Sequence, residues 1–299
     1  KDFHVERMLS ESTSRKSIAL LGHLEGADAD TKTIVYLEKK PFVSEAIADA
    51  LSSEPTPLTR DFNNAEYTVY SMGGAAGGLG AVKCDVIHPA TAKHVVKYTK
   101  HEVRVVRETA EMYAKVTLPY IEREELGDRI KWVHNILDKK KESERIMLED
   151  TDPKDGFIFL PDMKWDQETT SDLYCQAIAN RRDLPTLRSL TSEHLPLLRN
   201  ILKKGCGVLE SKFGLKSHHV RVYVHYQPSF YHLHVHFAHV DTEGSIECGK
   251  AHLLQNVIDN IELRGDYYQT VPLTMTLRTS LGLWKAYESA GGLPVEGGG

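Results

Sequence analysis

The chain has 299 residues, 41% of them hydrophobic and 26% charged, with 21 Gly and 12 Pro. This is ordinary globular composition and excludes collagen-like, low-complexity and wholly disordered chains. The length suggests two domains, each able to bury its own core. A formal net charge of -5 provides no overall basic field, so any nucleic-acid ligand is expected to be short or bound locally.

In chain order, residues 33–37 form a β-prone run, 43–51 read as a short helix after Pro41, and 66–72 alternate as a strand. The glycine-rich stretch 73–80 reads as a hairpin turn pairing that strand with 81–87; it lacks the Gly-Lys-Ser/Thr ending of a phosphate loop. A helix is expected over 91–113, connecting a smaller domain, 1–102, to a larger one, 103–299. Further helices are expected at 128–141 and 167–180, with strands at 145–148 and 157–160. Thr191 can cap a helix whose Leu195, Leu198, Ile201 and Leu202 share one face. Strands at 220–226 and 231–240, a helix at 250–263 and a strand at 270–277 complete an α+β reading. Cys84, Cys175, Cys206 and Cys248 have no metal-clamp or Cys-x-x-Cys spacing and point to a reducing, intracellular setting. There is no run of about 18 apolar residues of the kind that spans a membrane.

The unusual feature of the composition is histidine: 15 in all, eight of them between His218 and His252. Strand side chains alternate between faces, so His232, His234 and His236 share one face, while Leu233, Val235 and Phe237 share the other. A hairpin with 220–226 would bring His225 beside that row. Three chemistries compete for such an array. It could be a histidine-rich exposed face, although the strand is otherwise strongly apolar. It could be a metal site, although no carboxylate or thiolate ligand at defined spacing accompanies it. Or it could perform nucleophilic catalysis at phosphorus, in which a neutral imidazole attacks and flanking imidazoles stabilise phosphate charge. The third fits best.

His232-Leu-His-Val-His236-Phe-Ala resembles the histidine triad motif of nucleotide hydrolases and transferases. That resemblance makes His234 the nucleophile of a covalent nucleotidyl-histidine, with His232 and His236 as its neighbours. The intact third histidine favours hydrolysis. Longer stretches narrow the resemblance to the family of scavenger mRNA decapping enzymes: Trp132-Val-His-Asn-Ile-Leu-Asp-Lys-Lys, Asp155-Gly-Phe-Ile-Phe-Leu-Pro-Asp-Met-Lys-Trp165, and 190–200 and 220–237. It implies an N-terminal lid and dimerisation domain, with exchanged segments in a homodimer, and a C-terminal histidine-triad domain with an antiparallel sheet and flanking helices. It also implies cleavage of 7-methylguanosine-capped dinucleotides and short capped RNA, left by 3′-to-5′ decay, to 7-methyl-GMP and a diphosphate, in cytoplasm and nucleus, with no cofactor or metal.

Residue by residue, the resemblance assigns stacking of the methylated guanine to Trp132, which suits a cationic base on an electron-rich aromatic face. Glu142 matches the carboxylate that accepts from the guanine edge, and Asp162, Met163 and Lys164 match a cap-contacting segment. His225, Ser229 and Phe230 match phosphate contacts, Phe230 lacking the hydroxyl of a common Tyr. Lys250 stands where Arg is found elsewhere, at an expected helix start, and so keeps a charge but loses the bidentate fork. Lys97 and Asn64 are candidate contacts from the N-terminal half. The alternatives are a general dinucleoside polyphosphate hydrolase and a non-catalytic cap-binding module.

Overall fold

The computed structural model describes residues 2–28, 31–40, 58–64, 67–72, 82–125, 130–163, 165–242 and 246–291. The expected helix at 43–51, the glycine-rich turn at 73–80 and Lys164 lie outside the described residues. The structure is α+β and divides into two compact units, Lys1–His101 and Glu102–Gly299.

The first unit contains β1 (Phe3–Ser12), β2 (Ser17–Leu24), β3 (Thr33–Lys39), β4 (Leu58–Asn64), β5 (Tyr67–Met72), β6 (Val82–Ile87) and the helix α1 (Ala92–Tyr98). The first three strands and β6 form one antiparallel sheet in the order β1-β2-β3-β6, and β4 pairs with β5 separately. The expected hairpin between 66–72 and 81–87 is therefore corrected: β6 pairs with β3, Val35 opposite Val86. One sheet face, carrying Leu9, Ala19, Leu21 and Ile34, packs with Val95 and Tyr98 of α1. The opposite face carries a cross-strand apolar row, Met8, Leu20, Val35 and Val86, whose end members are 52% and 56% exposed.

The expected 91–113 helix is also corrected. After α1 the chain extends into β7 (Val103–Glu108), whose alternating residues pair with a strand far away in sequence. Helical structure resumes at Ala110–Met112, passes through a π-helical turn at Tyr113–Thr117 and continues as α2 (Leu118–Glu125). α3 (Lys131–Leu137) is shorter than the expected 128–141 helix. The 145–148 region is a 3-10 turn, Ser143–Arg145, followed by the two-residue β8 (Leu148–Glu149). After β9 (Phe157–Pro161), the helix expected at 167–180 is instead the strand β10 (Tyr174–Ala179). This strand is central, hydrogen-bonded on both sides and buried on both faces, so its sequence shows no alternation to separate it from a helix.

The remaining elements are α4 (Leu195–Phe213), β11 (Val220–His225), β12 (His234–His239), β13 (Ala251–Leu253), α5 (Leu254–Leu263), α6 (Tyr267–Thr270), β14 (Leu273–Arg278), which is the partner of β7, and α7 (Gly282–Ser289). Strands β13-β11-β12-β10-β9-β8 make a six-stranded antiparallel sheet. α4 presents Leu197, Leu198, Ile201 and Leu209 to the core and ends at Gly214, whose left-handed φ of 69° lets its N–H return to Glu210 O. Val235 and Phe237 join this core. Gly205 of α4 allows the closest approach: a Cβ there would meet Phe237 Cζ at 2.4 Å. Leu198, Ile201 and Phe237 thus fix the helix-facing side of β12, leaving His234 and His236 on the other.

Candidate active site

His232 and His234 are both buried; His234 opens β12, and His232 lies in the bend just before it. His232 Nε2 lies 2.8 Å from Ala179 O, and His234 Nδ1 lies 2.7 Å from His232 O. A carbonyl oxygen only accepts, so each of these nitrogens carries the hydrogen. In neutral His234 the lone pair is then on Nε2, which has no hydrogen-bond partner among the described residues. Burial holds the His234 pKa down, to about 3, because a charged imidazolium would lose its hydration; His232 is lowered for the same reason. The result is a neutral imidazole with a defined tautomer, as a nitrogen nucleophile requires.

His236 and His225 complete the array. The His234 and His236 rings are 4.8 Å apart, and His225 and His236 are 4.3 Å apart, so the neighbouring strand does bring its histidine to the row. His236 also stacks on Tyr223 at 5.2 Å and shares a 3.0 Å hydrogen bond between its Nδ1 and the Tyr174 hydroxyl. Phe230 lies flat on His234, with centroids 3.9 Å apart and planes at 17°, and meets Trp132 edge-on at 4.8 Å. It bridges the nucleophile and the tryptophan through its ring.

A cavity of about 350 Å³ opens beside this array, lined by Trp132, Glu142, Arg145, Asp162, Met163 and Gln176, among others. Gln176 and Ile178 of its wall are the register partners of His236 and His234. Trp132 leaves 42% of its surface exposed. Glu142 adopts a left-handed φ of 57° and its Oε2 pairs with Arg145 Nη1 at 2.7 Å; Arg145 Nη2 in turn donates to Pro161 O at 3.1 Å. Asp162 Oδ2 accepts from Gln176 Nε2 at 2.5 Å. Two carboxylates thus reach one cavity with an exposed indole. A second cavity, about 260 Å³, brings together Gln227, Ser229 and Lys250. Lys250 is not at a helix start: it precedes β13, and α5 begins only at Leu254. A larger cavity of about 920 Å³, lined by residues of α2 and α7, contains none of the candidate residues. Lys97 lies on α1 and Asn64 ends β4, both in the first unit. Among the described residues no group of three or more His, Cys, Asp or Glu is placed to hold a metal ion.

Comparison with known proteins places the chain. The scavenger mRNA decapping enzyme N-terminal model matches residues 1–101, and the scavenger mRNA decapping enzyme C-term binding model matches residues 131–252. The m7GpppX diphosphatase of Homo sapiens is 43% identical over 294 residues, covering 96% of this chain and 86% of its own. Those of Ascaris suum and Schizosaccharomyces pombe are each 38% identical, covering 93% of this chain and 91% of their own. The chain belongs to the scavenger mRNA decapping enzyme family.

Within this family member, three features escaped the sequence reading. Arg145 and Gln176 fix the two carboxylates of the larger candidate cavity. The third is a buried ionic cluster: Glu108 and Arg188 pair at 2.6 Å with both side chains fully buried. Glu108 also accepts from Thr117 at 2.5 Å, Tyr287 at 2.7 Å and the Tyr226 hydroxyl. Arg188 further donates to Tyr268 O at 2.9 Å and Val271 O at 3.1 Å. Glu108 and Arg188 are 80 residues apart, and no local pattern announces their meeting.

Proposed function

We propose that this protein hydrolyses the 5′–5′ triphosphate of 7-methylguanosine-capped dinucleotides and short capped RNA. The observation that carries the reading is the shared wall: the residues facing His234 and His236 across the sheet also line the cavity holding Trp132, Glu142 and Asp162. Methylation at N7 makes the guanine cationic, and the exposed Trp132 face attracts it. Glu142 and Asp162 accept from the N1 and N2 donors of the base edge. Arg145 and Gln176 hold those carboxylates in place. The base so held puts the adjacent phosphorus over the histidine row.

His234 Nε2 then forms a bond to the phosphorus bearing 7-methylguanosine, and the P–O bond to the next phosphate breaks. The leaving diphosphate takes the electron pair; His225, His236, Ser229 and Lys250 stabilise phosphate charge around it. Water next attacks the same phosphorus, the P–N bond breaks, and 7-methyl-GMP leaves. The Nδ1–H bond to His232 O stabilises the cationic ring of the intermediate. Rapid quenching followed by intact-protein mass measurement tests this step. The wild type is expected to carry a 7-methylguanylyl adduct that is absent from His234→Asn; an equal adduct on the variant would remove His234 from the role.

The reading extends to a homodimer. The Met8, Leu20, Val35 and Val86 row is an apolar sheet face of the kind a second copy covers. Val86→Lys should reduce the molecular mass in solution from twice the chain mass to once; an unchanged mass would exclude this face.

A further inference from the structure

One buried side chain at the second cavity has no explanation in the fold. Gln227 is 9% exposed, and neither its amide nitrogen nor its amide oxygen has a hydrogen-bond partner among the described residues. Leaving both ends of a buried amide unsatisfied costs the full desolvation of each polar group, so a side chain in this state needs a reason. The same condition marks Nε2 of His234, the nitrogen that attacks phosphorus in the reading above.

Its surroundings narrow the chemistry. Gln227 lines the cavity that also contains Ser229, Lys250 and Arg278, with Glu247 as the one carboxylate among the lining residues. It follows Tyr226, and Tyr226 is held at both ends. The Tyr226 main-chain N–H donates to Lys250 O at 2.8 Å, and its hydroxyl donates to Glu108 inside the fully buried Glu108–Arg188 cluster. The backbone that carries Gln227 is therefore fixed, which limits the side chain's freedom to find a partner elsewhere. An amide N–H beside two cationic side chains and a hydroxyl matches an oxyanion acceptor, and the strand that ends here carries His225 against the histidine row.

We infer that Gln227 is a substrate-binding residue whose side-chain amide donates to a non-bridging phosphate oxygen on the leaving, diphosphate side of the scissile bond. The inference rests on the proposed cap hydrolysis and assigns that reaction a further contact. A hydrogen bond to a charged oxygen is stronger than one between neutral groups, and it forms only with substrate present.

The test separates this contact from a structural role, because the two move stability in opposite directions. Gln227→Met keeps the length of the side chain and removes both unsatisfied polar ends. The free variant should melt at the wild-type temperature or above it, while kcat/KM for a 7-methylguanosine-capped dinucleotide falls about tenfold or more. Gln227→Glu replaces the donor with an acceptor that repels phosphate, and kcat/KM should fall further. A methionine variant within twofold of the wild-type kcat/KM would overturn the assignment, as would a melting temperature lowered in step with the activity. A wild type that cleaves no capped dinucleotide would instead remove the underlying reading, so the two failures are distinguishable.

Discussion

Replacing the buried nucleophile by a residue that does not titrate should flatten the acid sensitivity of the fold. His234 is neutral when folded, its pKa lowered by burial from 6.5 to about 3. The unfolded chain binds a proton below pH 6.5 that the folded chain refuses until about pH 3, so acid favours unfolding across that window. The stabilisation is complete above pH 6.5 and is lost as pH falls towards 3. At about 1.4 kcal/mol per pH unit, His234 alone should cost the wild type about 2 kcal/mol at pH 5 relative to pH 8. His232, His252 and His194 shift the same way through burial, so the wild type loses more than this in total. The difference between wild type and His234→Asn isolates the single group, because the other histidines are common to both. Urea denaturation at pH 8 and pH 5 measures it: the gap between the two proteins should narrow by about 2 kcal/mol at the lower pH. Parallel losses would mean that His234 is solvated or charged in the fold, and the neutral-nucleophile argument would fail.

Arg188→Met should destabilise the protein by about 3–5 kcal/mol, because it leaves the Glu108 carboxylate buried without its cation; an unchanged urea midpoint would contradict this. Gly205→Ala should cost about 1–3 kcal/mol by driving a methyl group into Phe237, seen as a lowered melting temperature. Trp132→Leu should raise KM for the methylated cap about tenfold, the loss of a cation–π contact worth roughly 1–2 kcal/mol, while barely changing cleavage of an unmethylated analogue. Comparing Tyr226→Phe with Tyr287→Phe separates position from stability. Both hydroxyls donate to Glu108, but only Tyr226 adjoins His225 and Gln227, so only its loss should lower kcat.

The histidine array was legible because a strand declares itself by period two, and three histidines at that period can only share a face. Trp132, Glu142 and Asp162 were found by resemblance; the Lys139–Glu144 charge run gives no sign that Glu142 turns into a cavity through a left-handed backbone. β10 is not legible as a strand because both of its faces are buried, so Tyr174-Cys-Gln-Ala-Ile-Ala carries no amphipathic signal. β7 is hidden from a local reading because its Val103, Val105 and Val106 find their partner in β14, a pairing that no window around residue 105 contains. β1 carries little signal of its own for a related reason: Phe3–Ser12 is mostly exposed, and its ladder is set by β2. Glu108, Arg188 and Gln227 became visible only with burial, since each would read as an ordinary surface residue until its surroundings are known.

The central claim is tested most directly by following products over time from a 7-methylguanosine-capped dinucleotide and its unmethylated counterpart, without added metal. The account predicts 7-methyl-GMP and a nucleoside diphosphate from the first, with the second cleaved far more slowly. No 7-methyl-GMP, or equal rates on the two substrates, would contradict it.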